Sequence, residues 1–511
     1  MYSLRVVIFV CSVALPLFSG TIRVPADQAT IQGAIKAAQN GDIVLVSPGM
    51  YVENIDFLGK AITVESAKGP NTTIIDGGNV YSVVTFTANE GPSSILSGFT
   101  IQNGNALDTP AGEGGGIAIE NASPTIEGNV IQQNFGASAG GGIGVGFGSP
   151  IIKNNVIRNN TQTPQIDGGG GGGISLRGDG TAQIIGNVIE NNTWNNVGAG
   201  FGGAIMLFGS GSTLIKNNIL QGNVAGSQGA AIWMVNDVSG TVIVQNLVVG
   251  NSSPGDAGIY WSNAPAALIN NTITDGSSVT GTVTSLMVAE GVSSTVILAN
   301  NLLISTKATN AFYCVSGGIP VPANFYNNDV FSSKGSAYGG VCGAQTGMNG
   351  NISKRPSFVS STDFELKGGS VGIDAGDNKA PDLPSTDLAG NRRFINGNDG
   401  PKPIIDMGAY EFVPVILTPR ALNFGTQAVD TATSKTAKLT NSQHRSLTIS
   451  SITIPSGYSV EGCPTNLAAF SSCELRVTFA PQTTGSFRGS IKVIDNSGNS
   501  PQLLGLVGMA D

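Results

Sequence analysis

Four charged residues in the middle of the chain could carry acid–base chemistry. They are Lys153, Arg158, Arg177 and Asp179. A lyase acting on an acidic polysaccharide needs a base and a group that neutralises the uronate carboxylate, and these residue types can supply both. Arg177 and Asp179 flank one glycine, so we expect them to share a turn. The favoured interpretation is nevertheless a solvated turn with a local ion pair.

A string of aspartates near residue 380 offers oxygen ligands for a calcium ion. Asp374, Asp377 and Asp382 have the carboxylates that Ca²⁺ prefers. Their spacing is not that of an EF-hand or of calcium-binding nonapeptide repeats. We therefore predict no cofactor, with Ca²⁺ at these aspartates as the alternative.

The charge balance and the histidine content exclude several classes of function. The 511-residue chain has 25 Lys and Arg against 33 Asp and Glu, a net charge of -8. This balance argues against binding to nucleic acid or to an anionic membrane. Because His444 is the single histidine, a multi-histidine metal site cannot form, nor can a catalytic triad with its base outside the C-terminal region.

The N-terminus and the cysteines indicate export. Residues 1–20 contain one early charge and then an apolar run, which is typical of a signal peptide; an uncleaved N-terminal anchor is the alternative. No second apolar stretch is long enough to span a membrane. The four remaining cysteines form two local pairs, which predict the disulfides Cys314–Cys342 and Cys463–Cys473 in an oxidising compartment, with buried thiols as the alternative. We expect a secreted or cell-surface protein.

An internal repeat predicts the fold of the middle of the chain. A run of small residues followed by an isoleucine recurs at intervals of 26 to 31 residues; these isoleucines are Ile117, Ile143, Ile174, Ile205, Ile232 and Ile259. Each unit contains two or three short alternating strands and cannot bury its apolar face alone. Stacked units give a parallel β-helix in which asparagine pairs, such as Asn154 and Asn155, form side-chain ladders. Glycine and asparagine supply the positive φ angles at its corners.

The same alignment predicts an apolar stripe on the outside of the β-helix. If the isoleucines point inward, the residues that follow them point outward: Met206, Trp233 and Tyr260, with Met287 next and Trp194 bordering the same face. An exposed aromatic stripe is a platform for sugar rings or for a partner. The favoured alternative is that a long loop or the C-terminal domain covers it.

The remaining segments complete an all-β architecture. Apolar residues at helical spacing from Ala29 predict a helix that caps the solenoid and stops at Gly41. We assign residues 21–412 to the β-helix, with a closing segment at about 370–412. From residue 413 to 511 alternating strands recur every 8 to 12 residues, which is typical of an immunoglobulin-like sandwich.

Three stretches resemble known families. Val24–Gly78 and the repeats resemble bacterial right-handed parallel β-helix proteins of the pectin-lyase-like superfamily. Ala375–Phe412 resembles the terminal segment of β-helix proteins with a choice-of-anchor Q region. The C-terminal pieces LNFGTQAV, LTISSI and VTFAPQTTGSFRGSI resemble the choice-of-anchor D domain, which is related to the ASPM-SPD-2-Hydin type. The resemblance implies a β-helix followed by an immunoglobulin-like domain and an extracellular origin.

The resemblance does not extend to the catalytic motifs of the superfamily. GMYVE at residues 49–53 matches the first short motif of pectin methylesterases, but the later Gln- and Asp-bearing motifs are missing, and so are the polygalacturonase elements. We therefore favour a non-catalytic protein that binds a polysaccharide or a component of the cell envelope. The alternative is a lyase or hydrolase of acidic polysaccharide. The oligomeric state stays open.

Overall fold

The computed structural model describes residues 19–106, 114–137, 139–162, 170–178, 180–194, 200–209, 211–236, 240–262, 266–274, 285–290, 296–315, 324–398 and 400–511. The predicted signal peptide lies almost wholly outside these residues. Within them, no helix has both the length and the apolar character needed to cross a membrane.

One short helix covers the N-terminal end of the solenoid. It spans Ile31–Ala37, and the Thr30 hydroxyl caps it by accepting a hydrogen bond from the Gly33 N–H at 3.0 Å. The helix ends before the predicted stop at Gly41, since Ala38 already has an extended backbone. The Lys60 ammonium donates to the carbonyl oxygens of Ile35, Lys36 and Ala38 at 2.7–2.8 Å. Its buried side chains are the predicted apolar ones: Ile31, Ala34 and Ile35.

Three long parallel sheets form the solenoid that the repeat predicts. Sheet I has 12 strands: Thr21–Val24, Ile43–Val46, Thr63–Ser66, Ile95–Ser97, Thr125–Glu127, Ile151–Lys153, Gln183–Ile185, Leu214–Lys216, Val242–Val244, Ala267–Ile269, Ile297–Ala299 and Phe325–Tyr326. Sheet II has 11 strands: Gly49–Val52, Thr73–Asp76, Thr100–Gln102, Val130–Gln132, Val156–Arg158, Val188–Glu190, Ile219–Gln221, Leu247–Val249, Thr272–Thr274, Leu302–Ser305 and Asp329–Ser332. Sheet III has 11 strands: Ile55–Asp56, Val84–Phe86, Ile117–Glu120, Ile143–Gly146, Ile174–Arg177, Ile205–Phe208, Ile232–Val235, Asp256–Trp261, Ser285–Ala289, Asn310–Cys314 and Ser336–Gly340. A small fourth sheet contains Phe135–Gly136, Thr161–Gln162 and Thr193–Trp194.

The predicted asparagine ladder runs along the inside of the solenoid. The second residue of each pair is buried and donates from Nδ2 to the Oδ1 of the asparagine one turn further on, as Asn155 does to Asn187 at 3.0 Å. The first residue of each pair has a positive φ, 56° at Asn154. A second ladder that the sequence analysis did not identify runs through Asn134, Asn160, Asn192, Asn223 and Asn251. Both ladders satisfy backbone groups that the turns leave unpaired.

The glycines before the isoleucine column serve two purposes. The expected positive φ is present at Gly114, Gly202 and Gly229, at 52°, 72° and 59°. The second purpose is space: a Cβ atom on Gly142 would lie 2.7 Å from the carbonyl oxygen of Gly173 in the next turn, so neighbouring turns leave no room there for a side chain.

The closing segment lies along a corner of the solenoid. Asn270, Asn300 and Asn327, each the first of a pair, donate to carbonyl oxygens of that segment at 2.9–3.1 Å. Arg393 is fully buried in it and lies 3.5 Å from the Glu411 carboxylate.

The C-terminal region folds as two sheets, as predicted. One contains Val415–Thr418, Thr433–Asn441, Ser472–Phe479 and Tyr458–Glu461. The other contains Ala421–Gln427, Gln502–Ala510, Gly485–Asp495, Leu447–Thr453 and Asn466–Leu467.

Both predicted disulfides, Cys314–Cys342 and Cys463–Cys473, are present.

Candidate functional site

The basic residues proposed for lyase chemistry do not converge. Lys153 lies on sheet I and forms a 2.7 Å ion pair with Glu127. Arg158 lies on sheet II, where its guanidinium donates to the Gln132 side chain at 2.9 and 3.0 Å. Arg177 lies on sheet III, and Asp179 is outside the described residues. The three basic residues therefore lie on three different sheets, and the structure does not bring them together on one face.

The aspartates proposed as calcium ligands are engaged in the closing segment. The two carboxylate oxygens of Asp374 accept N–H groups of Gly397 and Asn398 at 3.1 and 2.5 Å. Asp377 accepts the N–H of Lys379 at 2.9 Å, and Asp382 has a positive φ of 55° in a turn. In the part of the chain that the structure describes, no three carboxylate, histidine or cysteine side chains are grouped to hold a metal ion.

The predicted stripe is present on the outside of sheet III, but its first members are covered. In register, the column reads Ala118, Gly144, Ser175, Met206, Trp233, Tyr260, Val288, Tyr313 and Gly339. Met206 and Trp233 are 1% and 9% exposed. Met287 was wrongly placed in this column: a register shift between Asp256 and Ile259 turns Met287 into the core, and Val288 takes its position.

The cover comes from aromatic side chains beside the stripe. Phe201 stacks on Trp233 with ring centroids 4.6 Å apart, and Trp194 meets Phe201 edge-on at 6.0 Å. Trp194 is itself 2% exposed, so it supports the cover and is not part of an open surface. The sequence analysis favoured a cover by a long loop or by the C-terminal domain, whereas the contacts described here are made by the aromatic side chains of Phe201 and Trp194.

The far end of the stripe, where Tyr260 and Val288 are 7% and 8% exposed, borders a cavity. The cavity has a volume of about 560 Å³, and Tyr260, Val288 and Tyr313 form its apolar wall. Polar groups surround that wall: Gln228, Asp256, Ser285, Glu290, Thr309 and Asn310. Tyr260 and Tyr313 lie two strands apart in the column, roughly 10 Å at the usual strand spacing, which is long enough for a disaccharide. We call this cavity the tyrosine cleft.

Two carboxylates make the tyrosine cleft acidic. Asp256 is buried, and burial raises the pKa of its carboxyl to about 7 although the Gly229 N–H donates to it at 2.5 Å. The half-buried Glu290 accepts a hydrogen bond from the Tyr260 hydroxyl. Burial and this bond raise the pKa of Tyr260, so the phenol stays protonated and cannot serve as a base. None of the described residues lining the cleft is a lysine, arginine or histidine.

Neighbouring backbone holds Tyr313 in position. Its strand is tied to the next segment by the Cys314–Cys342 disulfide. Its partner in the following strand is Gly339, on which a Cβ atom would lie 2.7 Å from the Tyr313 ring and 2.5 Å from the Asn310 side chain. Only a residue without a side chain leaves room for the ring in this orientation.

Sequence reasoning found Tyr260 but missed Asp256, Glu290 and Tyr313. Asp256 and Glu290 lie outside the clearest repeats and carry no motif. Tyr313 continues the column after Val288, beyond the irregular turn at Asp256. The signal in the sequence is its position directly before Cys314, the first disulfide cysteine. The motif-like Glu53 has a structural role instead, because both its oxygens accept backbone N–H groups of the capping helix at 2.9 Å.

Comparisons with family models confirm both predicted regions. Residues 172–354 match the model described as right handed beta helix region. Residues 414–503 match the model described as Abnormal spindle-like microcephaly-assoc'd, ASPM-SPD-2-Hydin. No curated protein matches the chain.

Several solved structures are similar to parts of the chain. The A-module of the Azotobacter vinelandii mannuronan C-5 epimerase AlgE6 is 13% identical with a TM-score of 0.34, covering 64% of this chain and 95% of that one. PapD-like domain 7 of human CEP192 is 12% identical with a TM-score of 0.17, and the match covers 19% of this chain and 85% of that domain. A Porphyromonas gingivalis W83 protein of unknown function is 15% identical with a TM-score of 0.17; the match covers 22% of this chain and spans only 60% of that protein. At this level of likeness, none of them bears on activity.

Proposed function

We propose that the protein is a non-catalytic, extracellular polysaccharide-binding protein and that the tyrosine cleft holds the sugar chain. The observation that carries this proposal is the pair Tyr260 and Tyr313, two strands apart on one wall of a cavity of about 560 Å³. Aromatic rings present a flat apolar surface to the C–H face of a sugar ring. Amide, hydroxyl and carboxylate groups around them can bind its hydroxyls.

Preorganisation of the wall supports this proposal. Trp233 stacks behind Tyr260 with ring centroids 6.3 Å apart and planes 11° from parallel. The bond to Glu290 holds the other end of the Tyr260 ring. Side chains that are already fixed lose little entropy when a ligand binds, so more of the contact energy contributes to affinity.

An extracellular location fits the covalent structure. The two disulfides and the β-helix fold are consistent with a protein outside the cytosol. A cleaved signal in residues 1–20 would deliver the chain there.

The test is a glycan screen with the full chain and with Tyr313→Ala. We expect binding to at least one polysaccharide, weakened tenfold or more in the variant because half of the apolar wall is lost. Tyr81→Ala is the matched control, since Tyr81 is 50% exposed and lies far from the cleft in the N-terminal turns. Full binding by Tyr313→Ala would contradict the site, and new reducing ends or unsaturated products from any polymer would contradict the absence of catalysis.

A further inference from the structure

The charge of the tyrosine cleft indicates which sugars suit it. Its described lining holds two carboxyl groups, Asp256 and Glu290, and no basic side chain. A uronate or a sulfated sugar would bring further negative charge into this partly enclosed space, where no cation offsets it. Like charges repel more strongly there than in bulk water. Anionic polysaccharides are therefore disfavoured by the site itself.

The Asp256 carboxyl is buried with few groups that could compensate its negative charge. The Asp256 side chain is 1% exposed, and the described contacts to its oxygens comprise one backbone N–H, that of Gly229. Burial disfavours the ionised form more than this one donor favours it, and the pKa of the carboxyl is therefore raised. A positively charged group in the cleft would compensate it directly.

The aromatic wall suits the same kind of ligand. Tyr260 and Tyr313 line the cleft, and an aromatic ring attracts a cation through its negative π-surface. Asn310 and Gln228 add amide groups at the rim for the hydroxyls of the sugar ring. A ligand that carries both an ammonium group and a sugar ring uses all these features.

We infer that the ligand of the tyrosine cleft is a polysaccharide containing unsubstituted amino sugars, whose ammonium groups are bound by the carboxylates that line the cleft, Asp256 and Glu290, while the sugar rings lie against Tyr260 and Tyr313. This inference rests on the proposed function and adds the class of sugar. The positively charged form of the amino sugar is the bound species, so an acetylated amine is rejected.

The experiment compares two oligosaccharides that differ only at the nitrogen. Oligomers of glucosamine and oligomers of N-acetylglucosamine of equal length are titrated calorimetrically into the full chain at pH 7, with EDTA present. We expect the glucosamine oligomer to bind at least tenfold more tightly.

Asp256→Asn retains the acceptor for Gly229 and removes the charge, so it should weaken glucosamine binding at least tenfold, and Glu290→Gln should weaken it as well. Glu120→Gln, on the same sheet but outside the cleft, is the matched control and should bind normally.

A proton measurement adds a readout that altered packing would not produce. The titratable described groups facing the cleft are Asp256, Tyr260, Glu290 and Tyr313. Because an ammonium ion favours the ionised form of Asp256, binding near pH 6.5 should release protons from this carboxyl, while the amine of the ligand takes up protons; the difference in the buffer dependence of the heat between wild type and Asp256→Asn isolates the release from the carboxyl. Asp256→Asn should abolish that release.

The failure of this inference can be told apart from the failure of the proposed function. Equal or tighter binding of the acetylated oligomer, unchanged binding by Asp256→Asn, or binding that requires added Ca²⁺ overturns the amino-sugar inference and leaves polysaccharide binding standing. If neither these oligomers nor any glycan in the screen binds, both proposals fail.

Discussion

The Tyr260 hydroxyl donates a hydrogen bond to the Glu290 carboxylate, joining a residue on sheet III to one 30 positions later that directly follows the neighbouring strand Ser285–Ala289. Both residues line the tyrosine cleft, and the bond fixes the Tyr260 ring, which also stacks on Trp233 of the preceding strand. The ring orientation of Tyr260 is therefore fixed by a hydrogen bond at one end and by stacking on Trp233.

Replacing Tyr260 by phenylalanine should separate the hydroxyl from the ring. Tyr260→Phe leaves the partly buried Glu290 without this donor, so we expect the free energy of unfolding to fall by about 1–2 kcal/mol. Stacking survives, so sugar affinity should fall less than in Tyr260→Ala. Urea unfolding and calorimetric titration measure the two effects. Tyr81→Phe is the control and should match the wild type; an equally stable Tyr260→Phe would show that the bond is not formed in solution.

Trp233 should behave as a core residue and not as a surface anchor. It is packed between Phe201 and Tyr260 and is 9% exposed. Trp233→Ala should therefore cost about 3–5 kcal/mol of unfolding free energy. Phe208→Ala is the comparison: this neighbour on sheet III is 43% exposed, and its loss should change stability by about 0.5 kcal/mol or less. Equal stability of both variants in urea would contradict the covered stripe.

Adjacent asparagines should differ sharply in their tolerance to substitution. Asn155 is buried, accepts from the backbone of Asn129 at 3.0 Å and donates to Ile126 and Asn187 at 2.9 and 3.0 Å. Asn155→Ala leaves several of these groups unpaired, so we expect a loss of about 3 kcal/mol or more. Asn154→Gly should be nearly neutral, because a φ of 56° suits glycine. Thermal and urea unfolding of the two variants test the contrast, and similar losses would mean that the ladder does not stabilise the fold.

The sequence allowed prediction of the features that repeat. The isoleucine column, the asparagine ladder and the capping helix follow from residue type and spacing, because each turn of a solenoid meets the same constraints as the last. Both disulfides followed from the local pairing of Cys314 with Cys342 and of Cys463 with Cys473. The outward direction of Trp233 and Tyr260 followed from the alternation of a strand.

The candidate site lies where the repeat is broken, and this is why most of it escaped prediction. The register shift after Asp256 moves Met287 inward and aligns Tyr260 with Val288 and then Tyr313, which no constant spacing can anticipate. Lys153, Arg158 and Arg177 are close in sequence, yet a chain that turns three corners per coil sends them to different sheets. The cover over Met206 depends on Phe201, which belongs to no repeat position.

The two disulfides should differ in their effect on the site. Removing Cys314–Cys342 opens a loop with a sequence separation of 28, worth about 3–4 kcal/mol, whereas Cys463–Cys473 closes a separation of 10, worth about 2–3 kcal/mol. Only the first is adjacent to Tyr313, so Cys314→Ala with Cys342→Ala should also weaken sugar binding. Cys463→Ala with Cys473→Ala is the matched control and should bind normally. Loss of binding in both double variants, or in neither, would contradict the role of the first disulfide in placing Tyr313.

A second buried carboxyl makes stability depend on pH. Asp329 is fully buried on sheet II; one oxygen accepts the Lys354 N–H at 2.9 Å and the other has no hydrogen-bond partner. Burial raises the pKa of this carboxyl to about 7, whereas an unfolded aspartate titrates near 3.9. Between these values the folded protein holds a proton that the unfolded chain has lost. The contribution of Asp329 to the free energy of unfolding therefore falls by about 1.4 kcal/mol per pH unit as the pH rises from about 4 to 7.

Replacing this carboxyl by an amide should remove its share of the pH dependence. Relative to the wild type, Asp329→Asn should gain about 2 kcal/mol of unfolding free energy between pH 5 and pH 7, because the amide carries no charge at either pH. Asp256 contributes equally to both proteins and cancels in the difference. Urea unfolding at pH 5, 6, 7 and 8 measures the gain. Asp430 is exposed, so the unfolding free energy of Asp430→Asn should depend on pH in the same way as that of the wild type. If the unfolding free energy of Asp329→Asn has the same pH dependence as that of the wild type, the Asp329 carboxyl titrates alike in the folded and unfolded chain and is open to water in solution.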